Sequence, residues 1–145
     1  STLIILRSNL KLVVDVDVDL SDNLPNINCQ PGKLNQVFMN IITNAAHATI
    51  ETNLKRSERF VKVSTRVVTV DNAEMIQVEI SDNGVGMSKQ TQSQIFIPFF
   101  TTKDVGKGTG LGLSIVQGIL EDHNAKVEIS SVMGEGTVFI LSFPT

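Results

Sequence analysis

Six of the chain's ten glycines fall between Gly84 and Gly112, in two clusters, Asp82-Asn83-Gly84-Val85-Gly86 and Gly106-Lys107-Gly108-Thr109-Gly110-Leu111-Gly112. Between them, residues 82–109 carry little regular pattern beyond a short helix predicted near Ser93. A compact domain seldom keeps so long a loop unless the loop has a function. The second cluster runs directly into an apolar-periodic segment, so it opens a helix. Glycines let backbone N–H groups approach a ligand closely, and a helix start adds a dipole that favours anions. Lys107 adds a point charge. A flexible turn needs neither alternating glycines nor the Lys and Thr between them, so phosphate contact is predicted. The motif is not a P-loop, because no Gly-x-x-x-x-Gly-Lys-Ser/Thr occurs. It is not a dinucleotide fingerprint either, since Leu111 and Leu113 stand where the last Gly should be.

The flanking segments limit the fold. Asp15-Val16-Asp17-Val18-Asp19-Leu20 alternates strictly, as a half-buried strand does. A calcium loop would need Gly at Leu20 and Glu at Asn26, so the acids read as a solvated strand face. A Pro-bearing connection, Leu24 to Gly32, leads to a predicted helix over Lys33–Ile50. Its apolar stripe is Leu34, Val37, Phe38, Ile41, Ala45 and Ala48, with Gln36, Asn40, Asn44 and His47 along its flank. Strands are predicted over 60–70 and 75–81, turning at Asp71-Asn72. A second helix over about 110–122 presents Leu113, Val116, Gln117 and Leu120. Lys126–Ser131 and Thr137–Phe143 alternate as a closing hairpin around Gly134-Glu135-Gly136. Strands joined by short turns pair antiparallel, and the helices must cover one face. The expected fold is α+β, a two-layer sandwich rather than a doubly wound sheet.

With 145 residues, one domain over 1–145 is expected. A net charge of −3 carries no basic stripe for nucleic acid or an anionic membrane, so neither is expected as a partner. The one cysteine, Cys29, excludes an internal disulfide framework, suits a reducing, cytoplasmic setting, and reads as buried and inert. No apolar run approaches the ~20 residues of a membrane span. The chain starts at Ser1 rather than Met, which suggests a piece of a longer parent that could itself be membrane-anchored.

Two further places carry chemistry. Asp82 ends a strand just before the first glycine pair. An ionised carboxylate accepts hydrogen bonds and donates none. It suits the exocyclic amine of adenine and repels the carbonyl of guanine, although Asp-Asn-Gly is also a common turn. Asn40 and Asn44, at i and i+4, project from the same side of the first helix. An amide oxygen suits Mg²⁺ that arrives already held by phosphate, although a helix-flank Asn pair bonded to loops is the commoner case.

The ordered set resembles the histidine-kinase branch of the GHKL ATP-binding superfamily, with its Bergerat fold. Asn35 to Ala45 looks like the N box and Asp82-x-Gly84-x-Gly86 like the G1 box. Phe99-Phe100-Thr101-Thr102-Lys103 looks like the F box, Gly106 to Leu113 like the G2 box, and Gly134-Glu135-Gly136-Thr137 like the G3 box. The resemblance covers about Val16 to Phe143. It implies a mixed sheet covered by helices, with ATP held under a mobile lid over about 95–110. It implies Asn44 as the Mg²⁺ ligand, Asp82 on the adenine amine, and Gly84 and Gly86 shaping the base site. Gly108, Thr109, Gly110, Leu111 and Gly112 form the phosphate end of the lid, and Thr102 of the F box and Thr137 of the G3 box join the nucleotide-binding set. Lys103 and Lys107 are cations able to reach the γ-phosphate, Phe99 and Phe100 pin the lid, and Phe96 belongs to the core.

In hydrolytic relatives a Glu one turn before the metal Asn activates water; here that place is Asn40, which takes no proton at neutral pH. The resemblance therefore implies phosphoryl transfer to a histidine by positioning and charge, with Asn40 aligning a ligand or metal water. His47 and Ala48 depart from the basic and aromatic residues frequent after the metal Asn. His47 either touches phosphate or ribose, with pH dependence, or faces solvent. Neither His47 nor His123 has the setting of a phosphoacceptor, so dimerisation helices bearing that histidine are expected before Ser1 in the parent, with a response-regulator receiver domain as the next partner. A degenerate nucleotide-binding module, a GHKL ATPase and a serine kinase share these boxes and stay open as alternatives.

Overall fold

The computed structural model describes residues 15–21, 24–25, 27–98 and 112–145. Strict alternation makes β1 (Asp15–Asp19) a strand that turns Val16 and Val18 inward and its aspartates outward. Helix α1 (Pro31–Ile50) follows, with Pro31 at its first turn, where a missing N–H costs nothing. A 3₁₀ turn (Arg56–Glu58) leads into β2 (Phe60–Val70) and β3 (Ala73–Asp82). Asp71 and Asn72, both at positive φ (52° and 64°), make the tight turn between them. The one-turn helix α2 (Lys89–Gln92) is capped by Ser88, whose side chain accepts the Thr91 N–H at 3.1 Å.

Helix α3 (Gly112–Asp122) ends where Asn124 takes φ 54° and the Ala125 N–H reaches back to the Leu120 carbonyl at 2.9 Å. Strands β4 (Lys126–Val132) and β5 (Gly136–Pro144) form the closing hairpin. The sheet order is β1-β2-β3-β5-β4. β1 lies parallel to β2, which requires the α1 crossover, and all other neighbours are antiparallel.

The helices cover the inner face of this mixed sheet. Val61, Val63, Ile80, Leu141 and Phe143 from the strands meet Val37, Ile41, Ile42 and Ala46 of α1 and Val116, Ile119 and Leu120 of α3. Phe38 packs edge-on to Phe143, with ring centroids 6.3 Å apart. The buried stripe of α1 is wider than the sequence predicts, for Ile42, Ala46 and Thr49 are also buried. The cause is double coverage: α1 packs against both the sheet and α3. Phe96 packs on the core beside the buried Ile95. Cys29 is exposed, a correction to its expected burial, because it lies in the segment before α1, outside the core layer. Among the described residues, no helix is long and apolar enough to cross a membrane.

Candidate functional site

The site starts from strand alternation. Ile76, Val78, Ile80 and Asp82 occupy successive inward positions of β3, so the period that buries three aliphatic residues also buries an acid. Asp82 is only 7% exposed. Its Oδ1 accepts the Gly84 N–H at 2.8 Å. Burial pushes the carboxyl up to about 6, while the Gly84 and Thr137 backbone N–H groups pull it down. The result is a dry carboxylate held by donors at the end of a central strand.

Gly84 is required by close approach. A Cβ there would lie 2.5 Å from the Cβ of Ala48 and 2.6 Å from its carbonyl carbon. The Val85 N–H also donates to the Ala48 carbonyl at 3.2 Å, docking the strand end onto the last turn of α1. Gly86 sits at φ +71°, and a Cβ there would run into the Val132 carbonyl oxygen. Gly136, at φ +136°, lies against the backbone of Asp82 and Asn83. Both residues of the first glycine cluster thus meet protein backbone, one on α1 and the other on the β4–β5 turn, which adds a packing reason to their presence.

Asn83 completes the turn. Its Oδ1 accepts the Phe60 N–H at 3.0 Å and its Nδ2 donates to the Glu58 carbonyl at 2.7 Å, tying the residue beside Asp82 to the start of β2.

Asn40 faces the other end. Its Nδ2 donates to the Gly112 carbonyl at 3.1 Å, joining α1 to the first turn of α3. Asn40, Asn44 and Ala48 follow one another at i+4 on one side of α1. This row spans about 12 Å at 1.5 Å per residue. One end is fixed on Gly112 and the other on Gly84, so Asn44 lies between the start of α3 and the end of β3. His47 is half-buried, one turn beyond Asn44.

Thr137 pairs with Asp82 across β3–β5, and it is 5% exposed. Its hydroxyl lies 2.7 Å from that of Ser131. Ser131 also accepts the Met87 N–H at 2.8 Å, and Gln92 Nε2 donates to the Met87 carbonyl at 3.0 Å. Sequence reading passes over Ser131, Gln92 and Asn83. The one available signal was the hairpin register, which sets Ser131 opposite Thr137.

The structure therefore gathers Asp82, Gly84, Gly86 and Thr137 at one end and Asn40 with Gly112 at the other. Thr102, Lys103, Lys107, Gly108, Thr109, Gly110 and Leu111, with Phe99 and Phe100, lie outside the described residues. Among the described residues, no group of three or more His, Cys, Asp and Glu side chains is placed to hold a bare metal ion.

Comparison with known proteins agrees with this fold. Residues 29–145 match the family model described as histidine kinase-, DNA gyrase B-, and HSP90-like ATPase. Sporulation kinase E of Bacillus subtilis (strain 168) is 34% identical over 131 residues, which cover 90% of this chain and 16% of that protein. Sensor histidine kinase ZraS of Salmonella typhimurium is 33% identical over 129 residues, 86% of this chain and 24% of that protein. The chain thus spans a quarter or less of the length of these two relatives. The solved catalytic domain of histidine kinase ThkA superposes with a TM-score of 0.77 at 27% identity, covering 99% of this chain and 87% of that one. The chain therefore belongs to the family of histidine kinase-, DNA gyrase B- and HSP90-like ATPases, as a catalytic domain of the histidine-kinase type.

Proposed function

We propose that this chain is the Mg²⁺-ATP-binding catalytic unit of a two-component sensor kinase, and that it passes the γ-phosphate to a histidine on separate dimerisation helices of the same parent. A response-regulator receiver domain then takes the phosphate. The observation that carries this reading is the Asn40 amide, bound to the Gly112 carbonyl where hydrolytic relatives hold a carboxylate. An amide there removes no proton from water, which favours transfer to a histidine on another domain over hydrolysis. Catalysis is then positioning and charge.

In this reading Asp82 accepts the adenine amine. The close backbone contacts of Gly84 with Ala48 and of Gly136 with Asp82 and Asn83, which a Cβ on either glycine would break, fix the place of the Asp82 carboxyl. Asn44, midway along the row from Gly112 to Gly84, would hold Mg²⁺ by its amide oxygen. A neutral ligand suffices only if phosphate oxygens supply the charge. Lys103 and Lys107 neutralise γ-phosphate charge, and Thr102 with Gly108 to Gly112 contributes the lid's phosphate contacts. His47 touches phosphate or ribose, so His47→Ala weakens ATP binding; an unchanged affinity removes that role.

The test uses ATP labelled on its γ-phosphate. Label should pass to separately supplied dimerisation helices of the parent kinase, and none should stay on this chain alone. Steady phosphate release without transfer, or label retained on the chain, contradicts the proposal.

A further inference from the structure

Ser131, Thr137 and Asp82 stand at one level across three neighbouring strands. The register pairs Ser131 with Thr137 across β4–β5 and Thr137 with Asp82 across β5–β3. All three take the inward positions of their strands.

A serine hydroxyl has one proton to give and two lone pairs to receive. Ser131 Oγ makes three contacts: the Met87 N–H at 2.8 Å, the Gly136 carbonyl at 3.1 Å and the Thr137 hydroxyl at 2.7 Å. The Met87 N–H can only donate and the Gly136 carbonyl can only accept. The Ser131 proton is thereby committed to Gly136. All three contacts are satisfied in one way only, with the Thr137 hydroxyl donating to Ser131. The Thr137 proton then points toward β4, and its oxygen keeps lone pairs for whatever lies on its other side.

We infer that Ser131 is a positioning residue for base selection: by taking the Thr137 proton it makes Thr137 an acceptor beside Asp82, so the site offers acceptors to the exocyclic group of the base. This rests on the ATP reading above. An exocyclic amine has two N–H groups and suits two acceptors, one reached directly and the other directly or through one water. A carbonyl at the same place on the base meets lone pairs from both. Freed from Ser131, the Thr137 hydroxyl can turn and donate to such a carbonyl. A purely structural Ser131, pinning Met87, would change the affinity for both kinds of base alike.

The test compares ATP with inosine triphosphate, which carries a carbonyl where adenine carries its amine. Dissociation constants come from competition against a fluorescent ATP analogue, for the wild-type chain, Ser131→Ala, Thr137→Val and the double variant. The preference for ATP should fall roughly two- to tenfold in Ser131→Ala, the range of one neutral hydrogen bond. In the Thr137→Val background, Ser131→Ala should change that preference no further. Ser131→Cys, with a weak acceptor of similar volume, should behave as Ser131→Ala does and serves if the alanine variant fails to fold. Wild-type ATP binding with an unmoved preference in the Ser131 variants overturns this role and leaves the ATP reading standing. A further fall in the Thr137→Val background also overturns it. A folded wild-type chain that binds neither nucleotide overturns both.

Discussion

Gly84 lies under Ala48 so closely that a Cβ on the glycine would sit 2.5 Å from the alanine Cβ and 2.8 Å from its carbonyl oxygen. This contact seats the end of β3 on the last turn of α1, and the neighbouring Gly84 N–H holds Asp82. Gly84→Ala should force the two elements apart, at the ~1–3 kcal/mol typical of overpacking. Thermal unfolding should drop by several degrees, on the order of 2–4 °C per kcal/mol for a domain of this size. Ala48→Gly in the Gly84→Ala background should restore only part of the loss, because the Ala48 backbone atoms stay in the way. Full restoration would show that the side chain alone makes the contact.

Asp82 sets a pH dependence with an unusual sign. Burial raises its carboxyl from 3.8 to about 6 in the folded chain, so the native state holds its proton to higher pH than the unfolded chain does. Between these two values the folded state binds more protons, and stability falls as pH rises. A shift of about 2 units corresponds to roughly 3 kcal/mol at neutral pH. Asp82→Asn should therefore be more stable than wild type at pH 7, by about 1–3 kcal/mol, and the gain should disappear near pH 4. Urea unfolding at both pH values measures it, and an Asn variant less stable at pH 7 contradicts it.

The same proton acts on ligand affinity in the opposite direction. In the proposed site the ionised carboxylate is the form that accepts the adenine amine, so ATP binding should weaken as pH falls below about 6, by at most about tenfold per unit. Asp82→Asn should bind ATP weakly with no such slope. Titrations from pH 5 to 7.5 check this, and an equal slope in both proteins would assign the proton elsewhere.

His123 joins the end of α3 to the start of α1. Its Nδ1 lies 2.8 Å from the Ile119 carbonyl, and its Nε2 accepts the Gln30 N–H at 3.1 Å. Only the Nδ1–H tautomer satisfies both contacts. Gln30 is the N-cap of α1 and makes no side-chain cap of its own, so this ring supplies an acceptor at the helix entry. His123→Ala should cost about 0.5–1.5 kcal/mol in urea unfolding and leave ATP affinity within twofold. A larger loss of affinity would tie the helix entry to the site.

Much of this was legible in the sequence, and the exceptions have physical causes. Asp82 was readable because period-2 alternation carries Ile76, Val78 and Ile80 straight to it. The Asp71-Asn72 turn and the hairpin around Gly134 follow from residues that tolerate positive φ. The width of the α1 core was not readable, since burial of Ile42 and Ala46 depends on where α3 packs. Nor was the partner of Gly84, because a glycine announces freedom of approach and not what approaches. Ser131 looked like an ordinary strand serine until the register placed it against Thr137. Cys29 misled because cysteine is usually buried, and nothing local showed that its segment lies outside the core.

Calorimetric titration of Mg²⁺-ATP into the folded chain tests the proposed adenine site at Asp82. ATP should bind, GTP should not, and Asp82→Asn should weaken ATP binding strongly while the fold persists. Equal affinity for ATP and GTP, or ATP binding unchanged in Asp82→Asn, would contradict it.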